Sequence, residues 1–153
     1  MTTLKGHGIT AVLPAGWEGS IHLREALPGE TTHPVLHAGS FPLPAPSTRG
    51  DFGSGAVDRM TVFDAFVVLL EYDPSSAGTA LFARAGIPRQ IDPDSLSTGV
   101  LQRQIAGHAG TQVFFSDHGR AFCLYVVVGA YRNRGRLVPK VNTLLSGMTI
   151  EAA

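Results

Sequence analysis

Two parts of the sequence contain residue types that enzymes use as nucleophiles. Ser116, Asp117 and His118 have the types of a catalytic nucleophile, acid and base, but they are consecutive. Because adjacent residues in a turn point in different directions, this run predicts turn hydrogen bonds and not a catalytic relay. Cys123 lies in an apolar run, where burial raises the pKa of a thiol and suppresses the reactive thiolate. We therefore assign no catalytic residue and favour a non-enzymatic role, with an enzymatic one left open.

A pair of histidines has a spacing that also occurs in metal sites. His33 and His37 are separated by three residues, and Pro34 permits a helix to begin between them. The residues that follow do not sustain a helix, so a strand is expected. In a strand, four residues span about 13 Å, which is too far for two imidazoles to share one ion. We expect neither a metal site nor a cofactor.

Three arginines at alternate positions form a candidate anion site. Arg132, Arg134 and Arg136 directly precede the predicted C-terminal helix, whose first backbone N–H groups carry partial positive charge. If this segment is extended, the three guanidinium groups can converge on one anionic ligand. The alternative interpretation, which we favour, is a solvated turn whose arginines keep the surface soluble.

The longest predicted loop covers residues 42–56, where three prolines and three glycines interrupt any strand. Its glycines do not match a phosphate-binding motif. Because loops of this length are usually functional or mobile, we expect this loop and the adjoining sheet edge to contact a protein partner. The residues that we assign to this surface are Phe41, Arg49, Asp51 and Phe52.

The N-terminal half has the alternating pattern of short strands. Residues 8–14 and 20–24 predict a hairpin, with Trp17 at the turn covering the end of the core. Residues 34–41 predict a third strand. The continuous apolar run within residues 61–72 predicts a central strand that is covered on both faces.

The middle of the chain is harder to interpret. A short helix that ends at Gly86 is expected after the central strand. Residues 87–110 predict irregular structure with one helical turn near residues 94–97. The clearest hairpin joins residues 111–116 to residues 121–131 through a glycine-containing turn.

The C-terminal residues have the 3.6-residue periodicity of an amphipathic helix. Because proline is tolerated only in the first turn, Pro139 predicts a helix that begins near Leu137 or Val138 and ends near Gly147. A short strand is expected at residues 148–151. These elements predict an α+β fold, an antiparallel sheet with one to three flanking helices.

Composition bounds the class of protein. With 153 residues, 44% hydrophobic and 16% charged, the chain is not intrinsically disordered, and we expect one α+β domain over residues 1–153. Twelve basic residues balance twelve acidic ones, so we expect no nucleic-acid binding, and weak binding through the three arginines is the alternative that we rank last. The single cysteine cannot form an intramolecular disulfide. Neither an export signal nor an apolar run long enough for a membrane span is evident, so we expect a cytoplasmic protein.

Several segments carry a resemblance to known proteins. These are FCLYVVVG at residues 122–129, LVPKVNTLL at 137–145, DAFVVLLEY at 64–72, ALFAR at 80–84 and LPAGW at 13–17. They resemble a group of small, uncharacterised actinobacterial proteins. The order of elements is also similar to the Mog1/PsbP-like fold, an antiparallel sheet sandwich flanked by helices. This resemblance implies an accessory role in which the protein presents a binding surface.

We therefore expect a non-enzymatic binding or assembly module that contacts a protein partner or a second copy of itself. Low charge and slightly positive mean hydropathy favour such an interface. The alternative is a protein that binds an anionic small molecule, or an enzyme, with its ligand held by the three arginines.

Overall fold

The computed structural model describes residues 2–23 and 26–152, and it has the expected α+β architecture. Two antiparallel sheets of five and three strands pack with one main helix. The strands are β1 (Thr2–Gly6), β2 (Ile9–Leu13), β3 (Glu18–Leu23), β4 (Pro34–Gly39), β5 (Ala65–Tyr72), β6 (Ala109–Asp117), β7 (Arg120–Val128) and β8 (Met148–Ile150). The helices are α1 (Ser54–Val57) and α2 (Arg134–Ser146), and 3-10 turns lie at Pro46–Thr48, Pro74–Ser76, Ala80–Phe82, Pro93–Ser95 and Tyr131–Asn133.

The five-stranded sheet, here called the large sheet, has the strand order β3-β4-β5-β7-β6. Its middle strand is β5, which pairs with β7 from Ala65 opposite Val128 to Tyr72 opposite Ala121. The prediction of a central strand is confirmed. Because both faces of the sheet are covered, most of β5 has no solvent-facing side and its sequence is continuously apolar.

The hairpin of β6 and β7 is also confirmed. Its connection is the pair His118 and Gly119, both with positive φ, as the tight turns of two-residue hairpins require. Glycine adopts this backbone conformation without steric cost, which explains its place in the turn. Strand β6 pairs with β7 along its whole length and forms one edge of the large sheet.

The predicted N-terminal hairpin is wrong. Strand β2 pairs with β1 and β8 in the three-stranded sheet, here called the small sheet, whereas β3 pairs with β4 in the large sheet. The turn between β2 and β3 passes the chain from one sheet to the other, with Trp17 N–H bonded to the Pro14 carbonyl at 3.1 Å. Alternation identifies the buried face of a strand but not its neighbour. Trp17 is buried in the core, and Arg24, the expected end of the second strand, lies outside the described residues.

Helix α2 begins earlier than predicted. It begins at Arg134, so Pro139 lies inside the helix and not in its first turn. Pro139 is exposed, and burial of the apolar stripe on the opposite side outweighs the hydrogen bond that proline cannot donate. The predicted end at Gly147 and the short strand after it are confirmed. None of the described helices is long and apolar enough to cross a membrane.

The short helix predicted before Gly86 is wrong. The structure has two isolated 3-10 turns there, followed by a parallel bridge between Ala85 and Ser116. The segment is too short for a cooperative helix, and it bonds the edge strand β6 instead, through Gly86 N–H to the Ser116 carbonyl at 2.7 Å. The following stretch of residues 87–108 is irregular, as expected, with one helical turn at Pro93–Ser95.

The large sheet has two differently covered faces. Its inner face packs against α2 and the small sheet, and the buried residues that α2 contributes are Leu137, Val138, Val141, Leu144 and Leu145. Its outer face forms a second apolar cluster, whose members include Phe66, Val68, Cys123, Tyr125 and Val127. Residues 41–57, here called the flap, supply Phe41, Phe52, Ala56 and Val57 to that cluster.

Candidate functional site

The consecutive Ser116, Asp117 and His118 hold a loop to the sheet. The Ser116 hydroxyl donates to the Phe82 carbonyl at 2.7 Å and accepts from Gly78 N–H at 3.0 Å. One Asp117 oxygen accepts from Ile87 N–H at 3.1 Å, and the other contacts the His118 ring. The Ser116 hydroxyl is thus engaged with loop backbone, and these contacts fasten residues 78–87 against β6.

Cys123 is buried on the outer face of the large sheet. Burial raises the pKa of its thiol to about 11, and a side-chain hydrogen bond with Gln112 opposes the shift. The thiol is therefore protonated at neutral pH. A protonated, buried thiol is a poor nucleophile and a poor metal ligand.

His33 and His37 do not share a site. His37 lies in β4 beneath the flap, with Nε2 2.8 Å from the Asp51 carbonyl oxygen, whereas His33 precedes the strand. Within residues 2–23 and 26–152, no three His, Cys, Asp or Glu side chains are grouped to hold a metal ion.

The residues expected to form a partner surface in the loop do not form one. Phe41 is buried, Arg49 is only 3% exposed, and Asp51 and Phe52 are half-buried. The physical reason is the apolar outer face of the large sheet, which the flap covers. Phe52, for example, packs edge-on against the Tyr125 ring with centroids 5.5 Å apart.

The flap approaches the sheet closely at Gly53. Its φ is +70°, and a Cβ at this position would lie 2.2 Å from the Phe66 ring. Only glycine therefore lets the backbone pass over Phe66. A glycine in a segment that the sequence predicts as a loop is thus required by packing.

A polar cluster, here called the His–Arg cluster, lies between the flap and the sheet. It consists of His22, His37 and Arg49. The two imidazole rings are 5.2 Å apart at 70°. Arg49 Nη2 donates to the Ser20 hydroxyl at 2.7 Å, and Nη1 donates to the Pro44 carbonyl at 2.9 Å. The cluster thus joins two strands of the sheet to the flap.

Each member of the cluster has a buried polar atom without a hydrogen-bond partner among the described residues. These atoms are Nδ1 of His22, Nδ1 of His37 and Nε of Arg49. Because His37 Nε2 faces a carbonyl oxygen, it is the donor, and Nδ1 of the neutral ring holds a lone pair. A buried polar group left in this way costs about 1–3 kcal/mol. Burial of these atoms therefore lowers the stability of the state in which the flap is packed on the sheet.

The electrostatics of the cluster favour neutral histidines. Burial lowers the pKa of His37 to about 4, and the charge of Arg49 acts in the same direction, while the bond to the Asp51 carbonyl opposes it. Burial and Arg49 also lower the pKa of His22, which the Asp51 carboxylate partly offsets. At neutral pH the cluster holds one cation, Arg49. This charge disfavours a metal ion between the two rings.

A second buried arginine ties the two sheets together. Arg120 donates from Nε and Nη2 to the two Glu71 carboxylate oxygens at 2.8 and 2.7 Å. It also donates to the carbonyls of His7 at 2.8 Å and Glu151 at 3.0 Å, which flank β2 and β8. The hydrogen bonds that Arg120 donates to the Glu71 carboxylate raise the pKa of Arg120. A cleft of about 510 Å³ lies beside this pair, but the guanidinium is occupied by protein acceptors.

The three arginines of the candidate anion site lie in helical backbone and not in an extended segment. Arg132 belongs to a 3-10 turn, and Arg134 and Arg136 to the first turn of α2, where residues two apart point about 200° apart. Arg134 lies over the Tyr131 ring at 4.1 Å, with Nε 3.5 Å from the Asp94 carboxylate. Arg132 and Arg136 are exposed. The condition for convergence on one ligand is not met.

Exposed apolar side chains lie at the end of the molecule where α2 begins. Val62, Phe63 and Tyr131 are 37%, 56% and 44% exposed. With Arg132 they form what we call the turn patch. Sequence reasoning missed Val62 and Phe63 because it assigned them to the central strand, although Asp64 three residues after Thr61 is a turn signal.

Hydrogen bonds hold the two segments of the turn patch together. Asn133 donates from its side chain to the Val62 carbonyl at 2.8 Å, and Gly129 N–H donates to the Asp64 carbonyl at 2.8 Å. The Asp64 carboxylate accepts from Thr61 N–H at 2.8 Å, which closes the turn. The apolar side chains are thus presented on an ordered backbone.

Comparison of the chain with protein-family models, with curated proteins and with solved structures gives no match. The resemblance to small actinobacterial proteins and to the Mog1/PsbP-like fold therefore stays a prediction.

Proposed function

We propose that the protein is a non-enzymatic binding domain that contacts a protein partner through the turn patch. The observation that carries the proposal is the exposure of Val62, Phe63 and Tyr131 beside Arg132 on an ordered turn. Aromatic residues and arginine are enriched at protein interfaces and dominate their binding energy. The expected partner surface of Phe41, Arg49, Asp51 and Phe52 is replaced by this one, because the flap is packed on the sheet.

Charge supports a partner with acidic side chains around an apolar pocket. Arg132 of the patch and Arg136 in the first turn of α2 are exposed, and Arg134 is partly neutralised by Asp94. The Asp64 carboxylate is directed to the backbone of its own turn. The surface therefore offers an aromatic anchor with a basic rim, which complements carboxylates placed around a hydrophobic pocket.

The anionic small molecule is the weaker alternative. It would have to bind to Arg132 and Arg136 without Arg134, whose guanidinium lies over Tyr131. A small ligand is usually held in a concave site by several convergent groups. Phe63 instead lies in a turn, in an arrangement that suits insertion into a partner.

The test is site-specific photo-crosslinking in the cells that make the protein. A photoreactive phenylalanine analogue replaces Phe63 in one chain and Leu81 in a matched control. Leu81 is 60% exposed and lies in a 3-10 turn far along the chain from the patch. A third chain combines the probe at position 63 with Arg132→Glu.

We expect a discrete crosslinked product from position 63 and none from position 81. The Arg132→Glu substitution should reduce that product by about tenfold, because it reverses the charge at the rim. A product of twice the chain mass would identify the partner as a second copy of the protein. If position 63 crosslinks no more than position 81, the proposal is wrong.

A further inference from the structure

The attachment of the flap to the large sheet depends on side chains. Among the described residues, every backbone–backbone hydrogen bond formed by residues 41–57 stays within residues 44–60. Bonds that reach the sheet include those of His37 Nε2 with the Asp51 carbonyl, Arg49 with Ser20, and Leu43 N–H with the Glu18 carboxylate at 3.1 Å. No strand ladder joins the flap to the sheet there, so the flap can separate while the strands stay paired.

Two of these bonds lie in the His–Arg cluster, where the closed flap brings Arg49 next to two histidines. His22 comes from β3 and His37 from β4, whereas Arg49 and Asp51 come from the flap. The Phe66 ring of β5 lies 5.5 Å from the His37 ring and offers no charge. Among the described residues that make these contacts, only Asp51 has a carboxylate that changes the pKa of either histidine.

We propose that the flap is a pH-operated cover, which opens when His22 and His37 are protonated and so exposes the outer face of the large sheet. Protonation places two more positive charges beside Arg49 in a site that burial keeps poor in water. The flap carries Arg49, so its departure separates the charges. The same step lets the three unpartnered atoms of the cluster meet water. Both effects favour the open state.

The direction of the pH effect follows from proton linkage. The closed state holds the pKa of His37 at about 4, below the ordinary value of 6.5. The open state therefore binds more protons between these two pH values, and opening becomes more favourable as pH falls through this range. The closed state loses at most about 300-fold in its equilibrium constant from His37, with His22 acting in the same direction.

Opening uncovers a surface that is buried in the closed state. Phe66 and Tyr125 lie beneath the flap, against Phe41 and Phe52, and Val68, Val127 and Cys123 belong to the same buried cluster. The inner face, β5 and β7 stay packed. The inference goes beyond the proposed function, because it concerns a different surface and does not need the turn patch.

Hydrogen exchange measured by mass spectrometry on the full chain tests the proposal at pH 7 and pH 5. Exchange rates are corrected for the intrinsic effect of pH. His37→Gln removes the buried titrating group, and Arg49→Gln removes the cation that repels it. His118→Asn is the matched control, because His118 is exposed in the β6–β7 turn and asparagine tolerates its positive φ.

We expect flap peptides of the unaltered protein to exchange at least about tenfold faster at pH 5, while peptides of β5 and β7 stay protected. His118→Asn should behave the same way. Arg49→Gln should show a smaller response. His37→Gln should lose most of the response, whether its flap is closed or open at pH 7, and the remainder comes from His22.

Three results would overturn the proposal. The first is flap exchange that does not change between pH 7 and pH 5. The second is exchange of β5 and β7 in parallel with the flap, which indicates global unfolding. The third is a full pH response in His37→Gln.

Discussion

Two arginines are buried against the large sheet, one on each face, and their surroundings differ. Arg120 on the inner side donates to both Glu71 oxygens and to two backbone carbonyls that belong to the small sheet. Arg49 on the outer side bonds one hydroxyl and one carbonyl, and it lies beside two neutral histidines. Its Nε has no hydrogen-bond partner among the described residues. The same type of side chain thus makes a fully hydrogen-bonded contact between the two sheets on the inner face. On the outer face it makes an incompletely hydrogen-bonded contact between the flap and the large sheet.

This difference shows that burial of a charge does not by itself indicate its energetic role. A buried charge with all of its hydrogen bonds made stabilises the arrangement around it, because breaking the pair strands the remaining partner. A buried charge with missing bonds is held by the apolar packing next to it. The inner cover, formed by α2 and the small sheet, should therefore stay packed when the pH changes. The outer cover, formed by the flap, should respond to pH.

The largest expected effect comes from breaking the inner pair. Glu71→Gln leaves the Arg120 charge buried without its carboxylate, so the free energy of unfolding should fall by about 4 kcal/mol. Urea denaturation measures it. Glu151→Gln is the control, because that side chain is exposed and its substitution should change stability by less than about 0.5 kcal/mol. Equal effects of the two substitutions would contradict the role of the pair.

The two covers should also respond differently to the loss of one apolar side chain. Leu144→Ala removes a fully buried side chain from the inner core and should lower the free energy of unfolding by about 3 kcal/mol. Phe52→Ala truncates a half-buried side chain of the flap. It should lower the free energy of unfolding by less and mainly accelerate hydrogen exchange of residues 41–57. A larger loss of stability from Phe52→Ala than from Leu144→Ala would show that the flap is part of the stable core.

Stability should also depend on pH through the outer face. Because the folded pKa of His37 is about 4 and its ordinary value is 6.5, the stabilisation from the neutral ring is complete above pH 6.5 and lost as pH falls. Between pH 7 and pH 5 the free energy of unfolding should fall by about 2 kcal/mol. His37→Gln should remove most of this dependence, and an unchanged slope would exclude His37 as its cause.

The smallest expected effect is at the turn patch. Phe63→Ser replaces a side chain that is more than half exposed, so the free energy of unfolding should change by less than about 0.5 kcal/mol. The same substitution should abolish binding of the proposed partner. A loss of several kcal/mol in stability would mean that Phe63 supports the fold and is not a binding residue.

Part of the fold could be predicted because it depends on local signals. The β6–β7 hairpin has Gly119 at a position of positive φ, and the end of α2 has Gly147 after the last buried leucine. The start of α2 could not be predicted, because Pro139 indicates a boundary locally while tertiary burial of Leu137 and Val138 extends the helix past it.

The pairing of β2 with β8 could not be predicted either, since the two strands lie at opposite ends of the chain and no local pattern marks the contact. For the candidate site, Arg132 was identified correctly as exposed, but Arg49 was not identified as buried. A proline- and glycine-rich loop that contains an arginine has the composition of a surface loop. Only the apolar outer face of the large sheet, far away in the sequence, draws that loop inward.

One paired measurement tests the contrast of the two arginines most directly, the unfolding free energies of Arg120→Met and Arg49→Met at pH 7. Methionine keeps the apolar stem of each side chain and removes the charge. We predict a loss of about 3–5 kcal/mol for Arg120→Met, since Glu71 is left buried alone, and a change within about 1 kcal/mol for Arg49→Met. Equal losses of unfolding free energy at both positions would contradict the account, because the contacts of Arg49 would then stabilise the fold as much as those of Arg120.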